Sequence, residues 1–123
     1  MLGKFGLAAA ALVIFAAPAL AAGACDEPFA PAAIDGSKAT LDQMKGAQTD
    51  VKNFMTQSDD YQTCLLDDFK NQQEAAAKAK DPKPLDPSIK AGVDKKIDAN
   101  QRMKEKIGAE FNAAVIAYKA AHK

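Results

Sequence analysis

Residues 40–69 read TLDQMKGAQTDVKNFMTQSDDYQTCLLDDF, and their periodicity decides the fold. Apolar side chains at Leu41, Met44, Ala47, Val51, Phe54, Tyr61, Leu65 and Phe69 recur mostly three or four apart, which lines them up on one stripe of an α-helix. Thr40 stands where a cap is needed and Gln43 follows three residues on, the pattern of a reciprocal capping box. No proline interrupts the run before Pro82, so the sequence predicts one helix over about 40–80, roughly 60 Å long.

Working outward, Lys80 to Leu85 contains Pro82 and Pro84 and forms a hinge. Asp86 then offers a cap, and Pro87 is tolerated at the first helical position. The second predicted helix, about 87–121, carries Ile89, Val93, Ile97, Ile107, Phe111, Ala114 and Tyr118 on one face. Two such stripes bury each other in an all-α, antiparallel two-helix hairpin that is coiled-coil-like. Matching large residues with large ones sets Phe54 opposite Phe111, Val51 opposite Ala114, Phe69 opposite Ile97, Ala47 opposite Tyr118 and Met44 opposite Ala121. That register leaves polar mismatches: Ser58 against Ile107, Tyr61 against Lys104, and Leu65 against Asn100. Residues 40–79 hold four basic and seven acidic side chains, and residues 86–123 hold eight and five, so an acidic helix would lie beside a basic one.

Upstream, residues 23–39 read as an extended arm. Pro28 and Pro31 keep it out of helix, and Asp35-Gly36-Ser37 is a turn signal. The chain has two cysteines, Cys25 in the arm and Cys64 inside the first helix. The helix from Thr40 to Cys64 rises roughly 36 Å, and the arm from Cys25 to Thr40 can span up to roughly 50 Å. The arm can therefore fold back along the helix and form a Cys25–Cys64 disulfide, with Phe29 and Ile34 covering apolar surface on the way.

Residues 1–22 have the plan of a signal peptide: Lys4, an apolar stretch from Phe5 to Ala17, Pro18, and the small-x-small tripeptide Ala19-Leu20-Ala21. Cleavage is expected after Ala21 or Ala22. The apolar run is shorter than the ~20 residues of a membrane-spanning helix, so no stable span is expected in the mature chain. The alternative is a lipoprotein anchored at Cys25, since Ala22-Gly23-Ala24 precedes it as small residues precede a lipidated cysteine. Removing Lys4 leaves 15 basic and 16 acidic side chains, a net charge near −1, which argues against nucleic-acid binding.

Cys25, Pro28, Pro31, the run Ile34 to Ser37, Ala39, Thr40, Met44, Val51, Tyr61, Cys64 and Leu65 together resemble a pattern found in small exported helical proteins of Gram-negative bacteria, particularly alphaproteobacteria. Members of that family often place a proline before the Asp-Gly, where this chain has Ile34. The resemblance covers the arm and the first half of the first helix. It implies an envelope location, periplasmic or secreted, and a structural Cys25–Cys64 bridge, and it carries no catalytic residue.

No Gly-rich phosphate loop, nucleophile–His–acid set or zinc spacing occurs in the chain, and His122 is its one histidine. No enzymatic activity, cofactor or metal is expected. The function expected is that of a non-enzymatic envelope protein working through helix–helix contacts, by self-assembly or as an accessory to another envelope protein. Met55, Leu66, Phe69 and Val115 are the candidate interaction surface. The alternative is a small ligand- or cation-binding module that uses the acidic pairs Asp59-Asp60 and Asp67-Asp68, of which Asp60 and Asp67 share a helical stripe with Cys64.

Overall fold

Thr40 and Gln43 form the capping box: the Thr40 hydroxyl accepts from the Gln43 amide at 3.2 Å, and the Gln43 side chain accepts from the Thr40 amide at 2.9 Å. From this cap α1 runs Leu41–Lys78. Asp86 caps α2, Pro87–Ala121, by accepting from the Ser88 amide at 2.8 Å, with Pro87 in the first turn. The computed structural model describes residues 25–123, so the expected signal peptide at 1–22 lies outside the described residues. The two helices pack as an antiparallel hairpin, and no strand occurs among the described residues.

The seam between the helices buries Met44, Phe54, Ser58, Tyr61 and Leu65 of α1 against Asn100, Ile107 and Ala114 of α2. Its centre is polar. Ser58 and Asn100 are the most completely buried polar residues, at 0% and 2% exposure. The Asn100 amide donates to the Ser58 hydroxyl at 3.2 Å, and its carbonyl oxygen accepts from the Gln62 amide at 2.8 Å. Every buried side-chain donor and acceptor in the described chain is satisfied, which is the condition under which a buried polar layer fixes register without a large penalty.

This layer corrects the register drawn from the sequence. Asn100 is bonded to Ser58 and Gln62, Lys104 pairs with Asp59, and Met55 packs on Gly108, where the expected register set Asn100 opposite Leu65 and Lys104 opposite Tyr61. Helix α2 is therefore slid along α1 by part of a turn relative to a pairing of large with large. Hydrogen bonding won over volume matching because an unpaired buried amide costs about 1–3 kcal/mol, while apolar side chains can repack at small cost. The acidic and basic helices meet in the Lys104–Asp59 ion pair. The pairs Lys90–Asp94, Arg102–Asp98 and Lys106–Glu110 all lie within α2.

The arm folds back along α1, and the Cys25–Cys64 disulfide closes it with a Cα–Cα distance of 5.6 Å. At its other end Asp35 organises a turn. Its carboxylate accepts from the Ser37 amide and hydroxyl, and its carbonyl accepts from Lys38 and Ala39. Within the turn Gly36 is pressed on α2 so closely that a methyl group there would sit 1.8 Å from the Ala114 carbonyl oxygen. No glycine among the described residues has a positive φ, so contact rather than backbone conformation demands glycine at 36. Ile34 packs onto the cluster of Ala39, Met44 and Ala114 as expected. Phe29 does not cover the helices: it is 96% exposed.

Opposite effects are expected of the same substitution at different glycines. Gly36→Ala should destabilise by about 1–3 kcal/mol, because the neighbouring backbone cannot yield as a side chain would. Gly46→Ala and Gly92→Ala open into empty space within helices and should stabilise by up to about 1 kcal/mol. Urea unfolding followed by circular dichroism measures all three. A neutral Gly36→Ala would show that the turn does not press on α2.

Candidate functional site

Where the arm meets α1, the bridge and the residues around it line an open cleft of about 730 Å³. Its walls are Glu27 and Phe29 from the arm and Gln57, Asp60 and Tyr61 from α1, with the two cysteines at one end. Tyr61 lies on the seam side of the cleft and is buried. Burial pushes its phenol above the ordinary value of 10.0, and the Glu27 carboxylate adds to the shift by repelling the phenolate. A second cavity of about 490 Å³ lies at the hinge, where Phe69, Ala76 and Ala77 of α1 face Pro82, Pro84 and Leu85.

The acidic stripe is spread among separate partners. Asp59 is held by Lys104, Asp68 accepts from Gln72 at 2.8 Å, and Asp60 faces the cleft. Among the described residues no three His, Cys, Asp or Glu side chains come together in a group that could hold a metal ion. His122 stacks on Tyr118, with ring centroids 4.1 Å apart. The sulfur of Cys25 is committed to Cys64, so in this state it cannot carry a lipid thioether.

The four residues of the candidate interaction surface differ in exposure. Leu66 is exposed at 53%. Met55 is half-buried, with its terminal methyl beside Gly108, and Phe69 is half-buried at the hinge cavity. Val115 packs on the Ala39–Met44–Ala114 cluster. Phe29 and Ile116, which residue spacing did not select, are the most exposed large apolar residues among the described residues, at 96% and 70%. Periodicity could have found Ile116, which lies off the α2 stripe. Nothing in the sequence distinguishes Phe29 from Ile34, since both sit in an extended arm.

Compared with known proteins, the chain matches no family model, no curated protein and no solved structure. Among the described residues no helix is long and apolar enough to cross a membrane. A disulfide of this kind persists in oxidising compartments outside the cytoplasm.

The cleft gives a spectroscopic expectation. Because the Tyr61 value is raised, folding favours the neutral phenol. Its contribution to stability is present in full below about pH 10 and is lost as pH rises through the raised value. Tyrosinate absorbance of the Tyr118→Phe variant should report Tyr61 titrating above 10.0, and Glu27→Gln should lower that midpoint without returning it to the ordinary value. An ordinary midpoint in the oxidised protein would contradict the buried position.

Proposed function

We propose that this chain is a non-enzymatic exported protein of the Gram-negative envelope, periplasmic or secreted, that works through helix–helix contacts. One observation carries the reading. Leu41, Leu66, Met103 and Ile116 are displayed on the outer surface of the hairpin, while the groups able to do chemistry are dispersed or paired with one another. Large apolar side chains left on a narrow hairpin are the means by which such a rod associates. The interior supports the same reading: Ile107 and Ala114 are the only apolar residues that α2 buries fully, and a core of this size gains from a further layer.

Self-assembly is the form of the proposal most open to test. The oxidised protein should self-associate in sedimentation equilibrium, and Leu66→Lys should shift it toward monomer with unchanged helicity. A wild-type protein that stays monomeric at high concentration would eliminate self-assembly through this face. The accessory form would then rest on recovery of one reproducible partner from the native envelope.

A further inference from the structure

The cleft beside the bridge gathers acid and no base. Asp26 and Glu27 line it from the arm and Asp60 from α1, and no lysine, arginine or histidine among the described residues does so. None of these three carboxylates takes part in an ion pair or a side-chain hydrogen bond within the described chain. Asp59, one residue away on α1, is by contrast held by Lys104.

Acid alone would make a solvated face; Tyr61 adds what such a face lacks. The residue is only 6% exposed, yet its hydroxyl has no hydrogen-bond partner in the described chain. No fully sealed polar side-chain atom there lacks a partner, so this hydroxyl opens to the space that its ring borders, the cleft. Burial raises the value of the phenol, and the Glu27 carboxylate raises it further, which sets the two groups near each other. A buried tyrosine hydroxyl ordinarily finds a partner, and here the partner must come from outside the chain.

Spacing chooses the ligand. The carboxylates do not come together in a group that could hold a metal ion, so one compact dication would leave most of their charge uncompensated. They are divided between the two walls of a cleft of about 730 Å³, within the usual range of small-molecule sites. From Gln57 to Cys64 the α1 wall rises roughly 10 Å. Phe29 stands exposed at the lip and offers an aromatic face. Positive charge carried at intervals along an aliphatic chain answers each feature: an ammonium for each wall, a donor for the Tyr61 hydroxyl, and a cation or methylenes against the Phe29 ring.

We infer that this cleft binds a linear aliphatic polyamine, whose ammonium groups pair with Glu27 and Asp60 and donate to the Tyr61 hydroxyl while Phe29 covers the chain. The disulfide is part of the site, because it holds the arm wall against the α1 wall. Such binding needs no second helical rod, so it holds whether or not the hairpin self-associates.

Spermidine is the probe. The chain has no tryptophan and two tyrosines, so in Tyr118→Phe the intrinsic fluorescence comes from Tyr61 alone. Titrating spermidine into this oxidised variant in physiological salt should change that fluorescence saturably, and equal concentrations of Mg²⁺ should neither reproduce the change nor displace the polyamine. Glu27→Gln and Asp60→Asn should each weaken binding about three- to fivefold. Glu74→Gln, the same loss of charge roughly 20 Å further along α1, should leave it unchanged. Phe29→Ala should weaken it with helicity intact, and reduction of the bridge should weaken it about tenfold or more, since both arm carboxylates then leave the wall. Absence of saturable binding, displacement by Mg²⁺, an equal effect of Glu74→Gln, or an affinity unchanged by reduction would each overturn the inference.

Discussion

The contact between the Gly36 turn and the backbone of α2 at Ala114 is the constraint on which the rest of the structure depends. It brings the arm, the start of α1 and the end of α2 to one place, where Ile34, Ala39, Met44, Ala114 and Tyr118 share a cluster. The turn leaves there with its direction set by the Asp35 carboxylate. Bonding to the Ser37 hydroxyl and amide, with Lys38 nearby, holds that carboxyl below its ordinary value of 3.8. Cys25 is thereby aimed along α1 toward Cys64. The disulfide holds the far end of a path that the turn has already chosen.

Along that path the structure uses two kinds of fastening. Apolar burial at Phe54, Tyr61, Leu65 and Ile107 brings the helices together without a strong preference for axial position. The Ser58–Asn100–Gln62 layer supplies that preference, because hydrogen bonds are directional and a slipped register would leave Asn100 unpaired. The arm then rests on a groove whose dimensions the polar layer has fixed. A slide of α2 by one turn would move Ala114 away from Gly36, so polar layer and turn specify the same alignment, one from the centre of the seam and one from its end.

Much of this was legible in the sequence. The stripe from Met44 to Leu65, the Thr40–Gln43 box and the Asp86-Pro87 restart each depend on neighbours in the chain, and local rules read them. The reach of the arm to Cys64 followed from rise per residue alone. Three features were not legible. Gly36 looked like an ordinary turn glycine, because its reason lies on a helix far along the chain. Asn100 looked like a break in the seam, because its partners Ser58 and Gln62 appear only once the register is known. Phe29 and Ile34 differ in burial because Ile34 sits beside the turn and packs on the Ala39–Met44–Ala114 cluster, a contact that exists only once the arm has folded back, while Phe29 stays exposed. Of the interaction surface expected from residue spacing, Leu66 is exposed, while Met55, Phe69 and Val115 are half-buried, beside Gly108, at the hinge cavity and on the Ala114 cluster.

The central claim is that the arm, clamped between the Gly36 turn and the bridge, is an integral layer of the fold. The measurement closest to it is denaturant unfolding of the same protein oxidised and reduced, followed by helix circular dichroism. The reduced form is expected to keep most of its helix and to lose about 4 kcal/mol of stability, the chain-entropy value for a loop closed across a separation of 39 residues. Identical stability in the two redox states would contradict the account, since it would mean that the helices neither hold the arm nor need it.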